Sequence, residues 1–407
     1  MSIIVGPTGP VGPKGDKGKS GRNGLEGPTG PTGSNGTQGP EGPQGPAGSS
    51  GSIINGTNVI GATGTFTNVG TEQNTIFGTN VNVSGTGTVS IGYGVISSNS
   101  NNIAIGNGAQ SNGPSSGSTN SCTAIGLSAS ATGTDSTAIG SGCNAIANYS
   151  TAIGRNCSTN SGATYGLCIG QDSYTSGSGG VCLGPNSNVQ QDQGISIGFY
   201  AVSNGNSAIA IGNSSTATGT NTIAIGQGTS ANSSGDPAIA IGGGVSTLNG
   251  SIIIGPNYTT TCPGDHAVSI GWGAKALTTR GVAIGCNPQA VEEDSVSIGF
   301  ESVAGSTNSV AISSRASATG TNAIAIGSSA TANGNNAVAI GPSSISNVAD
   351  QIVLGATGST VKPGGNLVLS SSATNPTSPV VGMIYLNTVS GLLRYYNSTG
   401  WQEITGL

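Results

Sequence analysis

Charge is scarce in this chain, at 6% of 407 residues, and aromatics are scarcer, at 4%. So few large side chains cannot fill an ordinary globular core of that size. Disordered chains usually carry more charge than this, so the same scarcity argues against disorder. A net charge of −5 offers no basic surface to nucleic acid. No run of about 18 apolar residues occurs, so membrane insertion through a helix is not expected. Met1-Ser2-Ile3-Ile4-Val5 is too short for a signal-peptide core and runs straight into Gly6-Pro7. Gly242-Gly243-Gly244 is not followed by the Lys-Ser/Thr of a phosphate loop. No catalytic constellation emerges, and neither an enzyme nor a cofactor is expected.

What the chain has in excess is glycine, 73 residues in all, and it is spaced in two different periods. From Gly6 to Gly51 it occupies every third position, giving sixteen consecutive Gly-X-Y triplets. Only glycine fits at the axis of a collagen triple helix, so this phase predicts three chains wound together over 6–51. Proline falls at X (Pro7, Pro10, Pro13, Pro28, Pro31, Pro40, Pro43, Pro46) and never at Y, so stability does not depend on hydroxyproline there. At roughly 3 Å per residue the stalk is expected to run ~140 Å. Lys14, Lys17, Lys19 and Arg22 make its beginning basic, which suits anchoring to a particle surface through the N-terminus.

The second period is fourteen. An apolar residue followed by a turn recurs twenty times, with anchors from Gly78 through Gly92, Gly106 and Gly126 to Gly327, Gly341 and Gly355, one of them Ser313. Fourteen of the nineteen intervals are fourteen residues long. A fixed short period means that each unit buries its apolar face only by stacking on the next. Alternation in Ile223-Ala224-Ile225 reads as a strand, Gly226 as a turn, and runs such as Ser317-Ala318-Thr319-Gly320 as a second short strand and turn. Two strands and two turns in fourteen residues make one narrow coil of a parallel β-solenoid. Twenty coils stacked ~4.8 Å apart give a rod of ~95 Å. The isoleucine before each anchor (Ile105, Ile139, Ile225, Ile326) is expected to point inside its own chain. The residue two places before the anchor (Ala104, Ala138, Ala224, Ala325) is expected to face outward, towards a neighbour or solvent. The long interval at 107–126 and the 16-residue intervals ending at Gly170, Gly242 and Gly271 read as surface insertions.

Residues 1–5 form a tail, 52–77 a coupling region, 78–355 the coils and 356–365 a linker. Residues 366–407 change texture. Leu367-Val368-Leu369, Met383-Ile384-Tyr385-Leu386, Leu392-Leu393-Arg394-Tyr395-Tyr396 and Trp401-Gln402-Glu403-Ile404 read as strands between Asn/Ser/Gly turns. Such a segment is expected to cap the open end of the solenoid, which solubility requires. Tyr385, Arg394, Tyr395, Tyr396 and Trp401 are the residue types that dominate binding hot spots and stack on sugars, which makes them receptor-contact candidates. The shaft, by contrast, reads as rows of Ser, Thr, Asn and Ala.

Cys143 and Cys157 occupy one place in successive coils, as do Cys168 and Cys182. Each pair should stack, but parallel in-register side chains point alike and disfavour a disulfide. Small buried thiols standing in for alanine are expected. His266 with Cys262 and Asp265 lacks the paired spacing of a metal site. Glu292-Glu293-Asp294 reads as an acid run in a solvated turn, and no metal is expected.

Asn206-Ser207-Ala208-Ile209-Ala210-Ile211-Gly212 and Asn308-Ser309-Val310-Ala311-Ile312 resemble the head repeat of trimeric autotransporter adhesins of the YadA type. The resemblance covers about two thirds of the chain. It implies a parallel β-roll in each chain and three rolls packed around one axis. That family's signal peptide and membrane-anchoring barrel have no counterpart in this sequence. Gly382-Met383-Ile384-Tyr385-Leu386-Asn387 with Leu393-Arg394-Tyr395-Tyr396-Asn397-Ser398-Thr399-Gly400-Trp401 is similar to modules near the ends of phage and giant-virus fibre proteins. The expectation is therefore an all-β homotrimer: a collagen triple-helical stalk, a trimeric β-roll and a small C-terminal β cap. Its expected role is a fibre of a virion surface that attaches to a glycan or protein receptor on host cells. A filament or coat protein of a spore or cell surface, serving assembly and protection, is the alternative.

Overall fold

The structure is a computed structural model, and it describes residues 58–59, 74–114, 120–242, 245–246, 249–256, 261–362, 369, 371–377, 379 and 381–404. The backbone divides into two units, 1–50 and 51–407, and every described residue belongs to the second. The stalk at 6–51 lies outside the described residues, as does most of the coupling region.

The described residues form an all-β solenoid with no helix among them. Each regular coil contributes a strand of three residues and one of two, such as Ile223–Ile225 and Ser230–Ala231. The longer strands build a parallel ladder of 21, and the shorter ones a second parallel ladder of 19. Register follows the sequence period: Ile209 lies on Ile223, Ala210 on Ala224 and Ile211 on Ile225. Hydrogen bonding continues through the corners, with the amides of Gly226 and Gly228 donating to the carbonyls of Ile211 and Asn213 at 2.7 and 2.8 Å. The longer ladder begins with Asn58–Val59, paired with Thr75 and Ile76, so it reaches into the segment read as coupling region.

The inner and outer faces are the reverse of the sequence expectation. Ala104, Ala138, Ala224 and Ala325 are all 0% exposed, whereas Ile326, for one, is 37% exposed. Ile105, Ile139 and Ile225 also stand on the outer face, half-buried. The expected register was therefore off by one residue, which flips every side chain of a strand. The physical reason is width. Sheets that interdigitate large side chains pack about 10 Å apart, and a coil closed by such short strands and tight turns has less room. Its lumen is filled mainly by alanine, serine, threonine and cysteine, as at Ala208, Ala210, Ser215, Ala217, Thr222 and Ala224, all buried, with Ile76, Ile253, Val83, Val95 and Val189 as larger exceptions. Many inner hydroxyls are satisfied on the backbone: Thr222 Oγ1 donates to Gly219 O at 2.7 Å, and Ser203 Oγ to Ala208 O at 2.9 Å.

The corners explain the composition. A Cβ built on anchor Gly212, at φ +130, would lie 2.4 Å from the carbonyl oxygen of Gly226 one coil on, so no side chain fits. Another corner position is left-handed in coil after coil, where Asn and Asp are tolerated best. Asn308, Asn322, Asn336 and Asp350 occupy it at φ between 56 and 61. There the Nδ2 of each Asn donates to the next side-chain oxygen at 3.1, 2.9 and 2.8 Å, a ladder running along the rod.

The C-terminal segment forms a separate four-stranded sheet. Ser371–Ser372 pairs parallel with Ile384–Asn387, which continues antiparallel to Leu393–Asn397 and then Gly400–Glu403. Its turns start on Asn: Asn387 Oδ1 accepts from the amides of Val389 and Ser390, each at 2.9 Å.

Candidate functional surface

The five receptor-contact candidates fall on both faces of this sheet. Register puts Tyr385 beside Arg394 and Tyr396 beside Trp401, which share one face by strand alternation. Trp401 stands edge-on to Tyr385 with centroids 4.9 Å apart and tilted against Tyr396 at 5.2 Å. Tyr385 is 1% exposed and its hydroxyl donates to Asn375 Oδ1, so it packs the sheet. Tyr396 and Trp401 are half-buried in the same cluster. Arg394 donates from Nη1 to Asn375 Oδ1 at 2.6 Å and lies 3.7 Å from the Glu403 carboxylate. Tyr395 is on the opposite face beside Ile384, and both are exposed. The aromatics thus divide between a small core and one exposed ring.

The shaft carries aromatics that were overlooked by reading it as Ser, Thr, Asn and Ala. Tyr93, Phe199, Trp272 and Phe300 each follow an anchor glycine and are exposed. That position was the available signal, since a side chain just outside a tight corner has nowhere to go but solvent. An open cleft of about 360 Å³ is lined by Gly273, Lys275, Asn287, Gln289 and Glu301, the first and last of these next in sequence to Trp272 and Phe300. Arg315 lies 5.4 Å above the Phe300 ring and is paired to Glu301 at 3.0 Å. Tyr149 and Tyr165, also exposed, stack on each other at 5.0 Å and 10°. Tyr165 belongs to the insertion before Gly170.

The charged clusters do not converge on a cation. His266 turns to Asp236, Nε2 to Oδ2 at 3.0 Å, while Asp265 accepts from the Asn249 amide and Cys262 is buried. Burial pushes the Cys262 thiol up to about 11, so it stays protonated. Within the acid run, Glu293 and Asp294 both accept from Arg280, at 2.6 and 2.8 Å. The hydrogen bond from Arg280 holds the Asp294 carboxyl below its ordinary range. Among the described residues no group of three or more His, Cys, Asp or Glu side chains could hold a metal ion.

The largest surface feature is apolar and continuous. The residue before the anchor is apolar in all twenty coils, from Phe77 and Ile91 to Ile340 and Leu354. With the Val, Ile, Leu and Thr side chains two places earlier it forms a stripe along the outer face of the longer ladder. A patch so extended on one chain marks a surface that another molecule covers.

Comparison with known families accounts for both periods. Residues 4–58 match the collagen triple helix repeat. Residues 123–142, 203–229, 263–286, 290–312 and 318–344 match the YadA head domain repeat. No curated protein sequence matches the chain. The chain thus joins collagen triple-helix repeats to YadA head repeats, both of them repeats of fibrous structural proteins.

Proposed function

We propose that three copies of this chain form one surface fibre, anchored at its collagen end, that attaches a virion to host cells. The observation that carries the trimer is the apolar stripe on the outer face of the roll. Its occupant is a second and a third copy, because the adjoining triplets at 6–51 already require three chains in parallel. Each half-buried isoleucine covered contributes ~1 kcal/mol, a fraction of the full-burial value, and the stripe repeats that gain coil after coil. Placement on a virion is supported by the resemblance of 382–401 to fibre-tip modules.

Contact with the host receptor belongs to accessible aromatic and charged side chains, of which exposed Tyr395 and half-buried Arg394 represent the C-terminal sheet. Exposed Trp272 and Phe300, with the cleft lined by Lys275, Asn287, Gln289 and Glu301 in the same stretch of coils, give the shaft a second surface of the same chemistry, aromatic rings together with amides and charge, that suits a glycan. Light scattering on the full chain should give about three times 39.0 kDa. A monomer in native buffer ends the proposal. Attachment to host cells is then compared for the intact fibre, a chain lacking 366–407, and the Trp272→Ala, Phe300→Ala double variant. Loss of attachment in the truncated fibre alone assigns contact to the C-terminal sheet, and loss in the double variant alone assigns it to the shaft. Undiminished attachment by all three, or end-to-end polymers in micrographs in place of free trimers, favours the filament reading.

A further inference from the structure

Four successive coils each place one thiol in the lumen of the roll. Cys143, Cys157, Cys168 and Cys182 are all 0% exposed. Cys143 and Cys157 stand three residues after their anchors, Cys168 and Cys182 two residues before theirs. Cys168 and Cys182 are in-register partners on adjacent strands, so they point alike and are badly aimed for a covalent bond. Cys157 and Cys168 are a different case. They come from non-equivalent positions of neighbouring coils and meet inside the lumen, with their sulfurs 2.7 Å apart. The Ser173 hydroxyl lies 3.2 Å from both sulfurs. The pair also flanks the place where the period breaks, since the interval from Gly154 to Gly170 is sixteen residues and the insertion carrying Tyr165 lies between the two cysteines.

We propose that Cys157 and Cys168 are joined by a disulfide that staples two neighbouring coils across the insertion between them. The bond forms while these coils close, before the lumen is sealed. The oxidant is a disulfide of another thiol, small molecule or protein, written RSSR. Thiolate exchange first leaves Cys168 as the mixed disulfide Cys168–S–S–R and releases one RSH. The Cys157 thiolate then attacks the Cys168 sulfur, the S–S bond to R breaks, and RS⁻ leaves and takes up the proton that Cys157 gave. Two cysteine thiols are oxidised, and one RSSR is reduced to two RSH. Cys143 and Cys182 remain thiols.

The sequence provides its own mapping sites. Chymotrypsin cutting after Tyr149, Tyr165, Tyr174 and Phe199 places Cys157 on 150–165, Cys168 on 166–174 and Cys182 on 175–199. The full chain is produced in an oxidising host compartment, checked for its β signal by circular dichroism, unfolded in denaturant with N-ethylmaleimide and no reductant, digested and weighed. The expected result is peptide 150–165 linked to 166–174 in most molecules, lighter than the sum by the lost hydrogens and separated by reductant, with Cys182 alkylated. A Cys157→Ser chain should lose this species. Alkylation of both Cys157 and Cys168 in the folded protein overturns the proposal, and so does linkage of Cys168 to peptide 175–199.

Discussion

The roll and the C-terminal sheet fill their interiors in opposite ways. A typical coil of the roll hides Ala, Ser, Thr and Cys and turns its isoleucines outward, whereas the sheet turns Tyr385 inward against Trp401 and Tyr396. The roll can use small side chains because its stability is repeated, each coil hydrogen-bonded along its length to the next. The sheet has only four strands, without such a stack to share the load, and needs large apolar area from few residues. Narrowness also has a consequence for assembly. A chain that turns most of its isoleucines outward, with Ile76 and Ile253 as buried exceptions, leaves them for a partner, so in the proposed trimer much of the apolar core lies between chains.

That contrast breaks most severely at an inner alanine. Ala224→Leu puts three more carbons into a lumen where Ala210 and Ala240 are its in-register neighbours. Overpacking of this kind should cost ~3 kcal/mol or more, at the upper end of the usual range, because the backbone of a closed coil has little freedom to yield. Its neighbour Ile225 should behave differently. Ile225→Asn leaves the coil itself intact and removes apolar cover between chains, so its effect should grow on dilution, whereas that of Ala224→Leu should not. Thermal melts followed by circular dichroism at two concentrations tenfold apart separate the cases. Concentration-independent loss in Ile225→Asn would place that side chain in its own coil after all.

A second, smaller effect tests the other half of the comparison. Trp401→Ala removes the ring that touches both Tyr385 and Tyr396, and should cost ~2–3 kcal/mol, below the value for a fully buried tryptophan because Trp401 is half-buried. The loss should stay local, with the near-ultraviolet aromatic signal weakened and the far-ultraviolet signal of the roll unchanged. Melting of the roll at a lower temperature in this variant would show that the two regions are energetically coupled.

The period, the paired short strands and the parallel stacking were legible because glycine at a fixed interval has one physical cause, the corner where a Cβ would strike the next coil. The direction of the side chains was not. Strict alternation marks two faces without saying which is inner, and the usual inference that the larger apolar residue goes inside assumes a core wide enough to hold it. Ile225 and Ala224 alternate equally well either way round. The meeting of Cys157 and Cys168 was also beyond a register argument, because it joins different positions of different coils next to an interval of irregular length. At the C-terminus the five aromatic and charged candidates share a residue type and a segment, but strand alternation, invisible until the pairing was fixed, sends Tyr385 inward and Tyr395 out.

The smallest effect expected concerns the one anchor that is not glycine. Ser313 holds the corner at φ 109, whereas its neighbours Gly299 and Gly327 stand at 134 and 135. A non-glycine residue in this region carries strain of ~1–3 kcal/mol. Ser313→Gly should therefore stabilise the roll, but glycine also gains freedom in the unfolded chain, which offsets ~0.5–1 kcal/mol of the relief. The net gain should be ~0.5–1 kcal/mol. The reverse change one coil earlier should be larger and opposite in sign. A Cβ on Gly299 would lie 2.5 Å from the Ser313 carbonyl oxygen and 2.6 Å from its carbon, so Gly299→Ser strains a corner with no adjustment built in. Measured together by denaturant unfolding, the two variants should move in opposite directions. Equal destabilisation by both would mean that the coil around Ser313 has been rebuilt to need its hydroxyl, and that the corner is held by more than the clearance of one Cβ.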